Sequence, residues 1–410
     1  SSPSISQPWP IWRSPTMPLE GQTADVVVIG GGLHGCAAAL HLARIGQSVL
    51  VLEKDTVGRH ASGVNAGGVR RLGRDTAEVP LAVAANAYWQ DIQALVDDDC
   101  GYRESRYLKV AFEEGPLEDA RRRVAILRQQ GVEHEEVIDR ERLRALLPGA
   151  SPDCIGALHV AGDGSAQPYR TVQAFRHRAE RLGARIQEQA RVTRVERRGP
   201  DWRVETPIGP VTAPVLVNTA GAWGGALAAQ LGDRVPLEAH APMLAITTPL
   251  PAFVDAVVGV LSDALSLKQF PNGTVMLGGG VRGRARPEEN ATELDLTGVG
   301  RFLRTARRVF PSLAGARINR LWAGIEGYTP DTLPVIGRGG AEGVIHAFGF
   351  SAHGFQLAPA TGAIVARLAI GQEPGLDISA FAPDRFAKPA PASLSMHRED
   401  PQEAPRRIHA

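Results

Sequence analysis

The stretch that decides the fold is ADVVVIGGGLHGCAAALHLARIGQSVLVLEK, residues 24–54. Val26-Val27-Val28-Ile29 is a short apolar run closed by glycines, the pattern of a buried parallel strand. Gly30, Gly32 and Gly35 then stand in a G-x-G-x-x-G spacing. A helix is predicted from Leu33 to Ile45 and a second strand from Ser48 to Leu52, with Glu53 at its end. Each part has a task. Gly30 permits the tight turn, Gly32 lets backbone approach a pyrophosphate, and Gly35 lets helix and strand pack closely. The helix start at Leu33 and His34 offers free N–H groups and partial positive charge to that pyrophosphate. Glu53 can accept from a ribose hydroxyl, and its charge would repel a 2′-phosphate, which argues against NADP. Lys54, next to it, joins the expected cofactor-binding set.

After Glu53 the chain does not return at once to a crossover helix. Residues 57–70 read VGRHASGVNAGGVR, a long loop of glycine and small polar residues. Such backbone can lie against a flat ligand, and Ser62, Asn65, Gly67 and Gly68 are its expected contacts. A loop of this kind suits the flavin end of an extended FAD better than NAD.

Here the chain resembles the D-amino acid oxidase superfamily of FAD-dependent amine and amino acid oxidoreductases. The resemblance runs from about Trp9 to Phe386, with the putrescine-oxidase-like and opine-oxidase-like branches most similar. Two later blocks carry it further. Val215 to Trp223, VLVNTAGAW, is a strand ending in a glycine turn, which places Ala220, Gly221 and Trp223 near the cofactor. Val192-Thr193 is expected on a strand at the adenine end. Trp322 to Asp331, WAGIEGYTPD, precedes a strand from Val344 to Phe348 and the segment Gly349-Phe350-Ser351-Ala352-His353-Gly354-Phe355-Gln356, which opens a helix to about Ile370. In the family that helix start stabilises negative charge on the reduced ring.

The resemblance implies an α/β chain, α+β overall. A Rossmann-like FAD domain of the glutathione-reductase type is joined to an antiparallel-sheet substrate domain. The FAD pieces are expected at 24–100, 150–230 and 325–386, and the substrate pieces at 101–149 and 231–324. Residues 1–23 read as a surface arm and 387–410 as a disordered tail.

It also implies chemistry: transfer of a hydride from the carbon beside nitrogen to flavin, then imine hydrolysis, with oxygen reduced to peroxide. A dehydrogenase passing electrons to a partner subunit or quinone is an alternative. A flavoprotein acting in tRNA modification or assembly is another. The covalent-attachment position of some members is Gly324 here, so FAD is expected to be noncovalent. Two positions at which members hold a substrate carboxylate are Glu326 and Gln356 here. Their identity argues against simple glycine or sarcosine and, if Glu326 points inward, for a cationic amine. Arg70 is a candidate for a remote carboxylate. His353 is a candidate donor to flavin or substrate. Lys268 is either a cation that helps oxygen accept electrons or an outward, solvated lysine.

The bulk composition agrees with an enzyme acting on small molecules. The 410 residues carry a net charge of +1, so no global field suggests nucleic acid or an anionic membrane. The apolar stretch 24–46 is interrupted by glycines and histidines and is not read as a membrane span, nor the N-terminus as a secretory signal. Cys36, Cys100 and Cys154 are too scattered for a disulfide framework or zinc site, and a cytoplasmic location fits. Arg121-Arg122-Arg123, the arginines from 301 to 308, and the run Glu133-His134-Glu135-Glu136 are expected to be solvated surface, and no metal is expected.

Overall fold

The computed structural model describes residues 18–19 and 21–387. Residues 1–17 and 20 of the arm expected over 1–23, and residues 388–410 of the tail expected over 387–410, lie outside them. The described end of the arm is not a surface arm, since Leu19 is buried and Gln22–Thr23 pair in parallel with Val211–Thr212.

The decisive stretch folds as its pattern requires. Strand β1 (Val26–Ile29) and strand β2 (Val49–Leu52) are buried at every residue, and helix α1 (Leu33–Arg44) crosses between them. They form the centre of a six-stranded sheet with β6 (Arg185–Gln187), β7 (Val215–Asn218), β13 (Val335–Arg338) and β14 (Val344–Phe348). The spatial order is β13-β14-β7-β1-β2-β6, parallel except where β13 meets β14. The Val-, Leu- and Ile-rich strands are continuous apolar runs because both faces of the sheet are covered.

Helix α1 packs against α5 (Pro168–Arg181) and α7 (Gly354–Ala369). At the α1–α7 crossing a Cβ on Gly362 would stand 2.6 Å from the Ala37 carbonyl carbon. The helices therefore meet backbone to backbone. Gly362→Val is expected to lower stability by about 1–3 kcal/mol through overpacking. A thermal melt unchanged from the wild type would show that the crossing has room to spare.

The second large element is an 11-stranded sheet. Its main path runs β12 (Ile318–Ala323), β8 (Glu238–Thr247), β11 (Val275–Arg286), β10 (Ser266–Gln269), β9 (Val257–Val260), β4 (Arg103–Ala111), β5 (Gly156–Ser165), β3 (Gly68–Val69). All pairings along this path are antiparallel except β9 with β4. Strands β3 and β5 come from stretches that the sequence reading gives wholly to the FAD domain, yet both hydrogen-bond into this sheet.

Alternation sorts the two faces of this sheet. Leu108, Val110, Val258, Leu267 and Leu277 join a core with Phe302, Ala306 and Val309 of helix α6 (Leu296–Val309). Tyr107 and Lys109 point the other way, toward the six-stranded sheet's ligand edge, and line a cavity.

Three expectations are corrected here. Val192 lies in coil just before the strand Arg194–Arg198, not on a strand. The loop after Glu53 contains one helical turn, α2 (Ala61–Val64). The surface arginine and acid runs are solvated only in part. On α4 (Glu114–Gln129), Arg121 and Arg122 are exposed, but Arg123 is buried, and its Nε lies 2.7 Å from Glu135, which is also buried. Among the described residues there is no group of three or more side chains suited to a metal ion. No described helix is long and apolar enough to cross a membrane.

Candidate active site

A cavity of about 810 Å³ extends from the β1–α1 turn to the inner face of the large sheet. Of the expected site residues, Gly30, Gly32, Leu33, His34, Glu53, Lys54, Ser62, Asn65, Gly67, Gly68, Arg70, Val192, Ala220, Gly221, Trp223, Gly324, Glu326, Phe350, Ser351, Ala352, His353, Gly354 and Phe355 all line it. Gly35, Lys268 and Gln356 do not.

Gly35 instead has the packing task expected of it: a Cβ there would stand 1.9 Å from the Gly30 carbonyl oxygen. Helix α1 starts at Leu33 after the N-cap Gly32, which has no side chain to cap it, and there is no acid in its first turn. Gly32, Leu33 and His34 line the cavity, so the helix's positive end faces it. Glu53 is buried and organises the turn. Its Oε2 accepts from the Gly31 N–H at 2.7 Å and its Oε1 from the Asp55 N–H at 2.8 Å. Burial raises its pKa, and those two N–H groups and Lys54 counteract the rise only in part. Ser62 Oγ accepts from the Leu33 N–H at 2.9 Å. Asn65 ties up its own loop, donating to the Ala61 and Ser62 carbonyls and accepting from the Gly67 N–H.

Farther along, Lys54 Nζ lies 3.9 Å over the Trp223 ring and pairs with Asp55. The Trp223 indole nitrogen is shielded from solvent and has no hydrogen-bond partner among the described residues. A helix start without an acid in its first turn, a buried acid at the end of β2 and an orphan indole donor along one cavity fit a dinucleotide with an aromatic ring system.

At the other end, Phe350 stacks on His34 with ring centroids 3.6 Å apart, and burial pushes the His34 imidazole down to about 3. Ser351 and Ala352 follow with φ of 48° and 66°. Left-handed backbone at two successive non-glycine residues costs about 1–2 kcal/mol each, so the surroundings must hold it. Glu326 does so: its Oε1 accepts from the Ala352 N–H at 2.7 Å. The Thr329 N–H donates to Ser351 Oγ at 3.2 Å. Glu326 thus borders the cavity with one oxygen committed to the loop. Of the two orientations open in the sequence, inward toward an amine or bonded to a loop, Oε1 takes the loop while the residue still lines the cavity.

The other departures are as plain. Gln356 is fully buried behind the cavity wall, with Nε2 donating to the Ala82 carbonyl and Oε1 accepting from Arg74. It contacts neither cofactor space nor substrate space. Lys268 is neither solvated nor in the cavity. It is buried with Nζ 5.1 Å from the Phe270 ring centroid, and burial alone lowers it to about 7. His353 Nδ1 lies 3.0 Å from buried Glu78 Oε2. Burial lowers the imidazole's pKa, and Glu78 opposes this only in part. The three cysteines are free and buried, and none lines the cavity next to Gly324.

Among the cavity residues that sequence reasoning missed are Arg74, Lys109 and Tyr107. Arg74, 1% exposed, donates to the carbonyls of Arg70 and His353 as well as to Gln356. Lys109 and Tyr107 come from β4, with the Tyr107 hydroxyl 3.3 Å from Ser266 Oγ. The only trace of them in the sequence is the alternation RYLKVA, residues 106–111, which does not say what covers the polar face.

With this geometry in view, the family model for FAD-dependent oxidoreductases named DAO matches residues 25–368. The chain belongs to that family. It is 28% identical to the glycine oxidase of Bacillus subtilis (strain 168) over 375 residues, covering 88% of this chain and 97% of that protein. It is 26% identical to an opine oxidase subunit of Rhizobium meliloti, covering 88% and 97%. Among solved structures, an L-proline dehydrogenase from P. horikoshii superposes with a TM-score of 0.83 at 26% identity, covering 89% of this chain and 98% of that one. A Rossmann-like FAD fold and FAD as cofactor are therefore settled for this member of the DAO family. So is its class, an FAD-dependent amine or amino acid oxidoreductase.

Proposed function

We propose that this DAO-family chain oxidises the C–N bond of a small amine or N-substituted amino acid, using noncovalent FAD and molecular oxygen. The observation that carries the reading is the single cavity joining the dinucleotide turn to the polar inner face of the large sheet. Bound flavin supplies the two-electron acceptor for the hydride leaving the carbon next to nitrogen.

The protein's own residues do the rest. Residues from β8 to β11 line the cavity on one side, where they would shield the reacting carbon from water once flavin and substrate are bound. Glu326 fixes the Phe350–His353 loop against which the reacting end must lie. Arg70, Arg74 and Lys109 give that end a positive wall, which disfavours an ammonium and so favours the neutral amine that can be oxidised. The cavity lining supports the proposed roles of Arg70 and His353 near the substrate, and gives no such support for Lys268. We assign the six-stranded sheet and its helices to the cofactor domain and the 11-stranded sheet to the substrate domain. Buried free thiols at Cys36, Cys100 and Cys154 support a cytoplasmic location.

The kinship to an opine oxidase subunit supports a second reading, in which electrons leave through a partner protein. One experiment separates the two: anaerobic bleaching of bound flavin near 450 nm by glycine, sarcosine, proline, opines and putrescine derivatives, followed by admission of air. Rapid recolouring with peroxide supports the oxidase, and slow recolouring the partner-coupled dehydrogenase. Flavin that no member of the panel bleaches would overturn C–N oxidation.

A further inference from the structure

The cavity wall contains a buried charge system in which every acid has a cationic or backbone partner. Asp163 accepts from Arg71 Nε and from the Arg71 and Leu72 N–H groups. Glu135 accepts from Arg123 and the Gly73 N–H. Glu78 lies against His353 and 3.8 Å from Arg74. One cation stands apart. Lys109 is 9% exposed, and among the described residues its Nζ has no hydrogen bond, ion pair or ring contact. Its stem crosses Gly259, with Cγ 3.5 Å from where a Cβ would be, and its tip reaches the turn at Gly73, where the same measure to Nζ is 3.3 Å. It lines the cavity together with Arg70.

A buried ammonium with no acceptor is costly, and it is retained where a ligand completes it. We propose that Lys109, beside Arg70, is the anion subsite of this enzyme and takes a carboxylate of the substrate. The inference rests on the proposed C–N oxidation only in assigning that anion to the substrate.

The neighbours make the subsite sensitive to pH. Burial pulls Lys109 down to about 7, Arg70, Arg123 and Arg74 push it the same way, and Glu135 opposes them. An anion stabilises the protonated form. Carboxylate binding should therefore be strong below about pH 7 and weaken as pH rises through that value.

The test uses the FAD-loaded full chain and a probe that needs no turnover. Acetate is titrated against the flavin absorption band, with neutral acetamide as control, in wild type, Lys109→Met and Lys109→Arg. Acetate should perturb the band, bind about tenfold more weakly to Lys109→Met, and be largely restored by Lys109→Arg. Acetamide should bind all three alike. The weakening of acetate binding above pH 7 should vanish in Lys109→Met. Acetate binding in Lys109→Met within twofold of wild type would overturn the subsite, as would no response to acetate in any form. Equal loss of acetate and acetamide would also overturn it, because it would mark a structural role. Bleaching of the wild type by an amino acid is scored separately, so failure of the subsite leaves the oxidation reading standing, and the reverse also holds.

Discussion

FAD affinity should fall on the order of 10- to 100-fold in Glu53→Gln, with the fold intact. Both carboxylate oxygens are already engaged, one by the Gly31 N–H and one by the Asp55 N–H. Each oxygen retains a lone pair for a ribose hydroxyl. Glutamine has one acceptor oxygen, so one of those N–H groups must face an NH2. Losing a charge-assisted hydrogen bond costs about 1.5–3 kcal/mol, and 1.4 kcal/mol is tenfold in affinity. Titration of apoprotein with FAD, read by quenching of flavin fluorescence, measures the change, and circular dichroism checks the fold. Affinity within twofold of wild type would remove Glu53 from the cofactor site. Because burial lifts the Glu53 pKa, wild-type affinity should also decline as acid protonates it, while the glutamine form stays flat over the same range.

The parts of this molecule that could be read from sequence are those whose physics is local. The β1 strand, the glycine turn, α1, β2 and Glu53 follow in one unbroken stretch, and each residue's task is decided by neighbours a few positions away. The helix from Gly354 to Ala369 is of the same kind: it starts within the segment 349–356 that the sequence gives for it and ends one residue before Ile370. What sequence could not supply is the cover over a polar face. Tyr107 and Lys109 alternate with Leu108 and Val110 on β4, and a strand with one polar face is ordinarily half solvated. Here that face closes over a cavity. Arg123 sits in a run of three arginines whose first two are exposed, and only the arrival of Glu135 from the following loop explains its burial.

Residue identity at an aligned position leaves orientation open in the same way. Glu326 and Gln356 occupy positions where the resemblance puts carboxylate-holding cations, and their own chemistry suggested a different substrate. The structure gives Glu326 a left-handed loop to hold, and it turns Gln356 inward onto Ala82 and Arg74. The positive charge of the site comes instead from Arg70, Arg74 and Lys109, on the chain that leaves β3 and on β4. The cavity's polarity is thus set partly by Arg70 and Arg74, which end and follow the glycine-rich loop, and partly by Lys109 on β4, distant in sequence from the motifs that reveal the family.

Arg74→Met should be the most damaging single change to stability, about 3–5 kcal/mol, because it leaves a buried carboxylate short of a partner. Glu78 is 0% exposed. Burial acts to raise its pKa, but His353, Arg74 and Arg70 outweigh it and hold the carboxyl below its ordinary value. A carboxyl whose folded pKa lies below its unfolded one contributes stability above the usual carboxylate range and loses it as pH falls. Removing Arg74 takes away part of that depression while the desolvation cost stays. The variant should therefore lose most near neutral pH, and the gap to wild type should narrow as Glu78 becomes protonated in acid. Chemical denaturation at several pH values would show this. The double variant Arg74→Met/Glu78→Gln should recover a large part of the loss, since a neutral amide needs no counter-charge. A destabilisation that neither narrows in acid nor responds to Glu78→Gln would locate Arg74's contribution in its bonds to the Arg70 and His353 carbonyls. The Glu78 charge would then be balanced by His353 and Arg70.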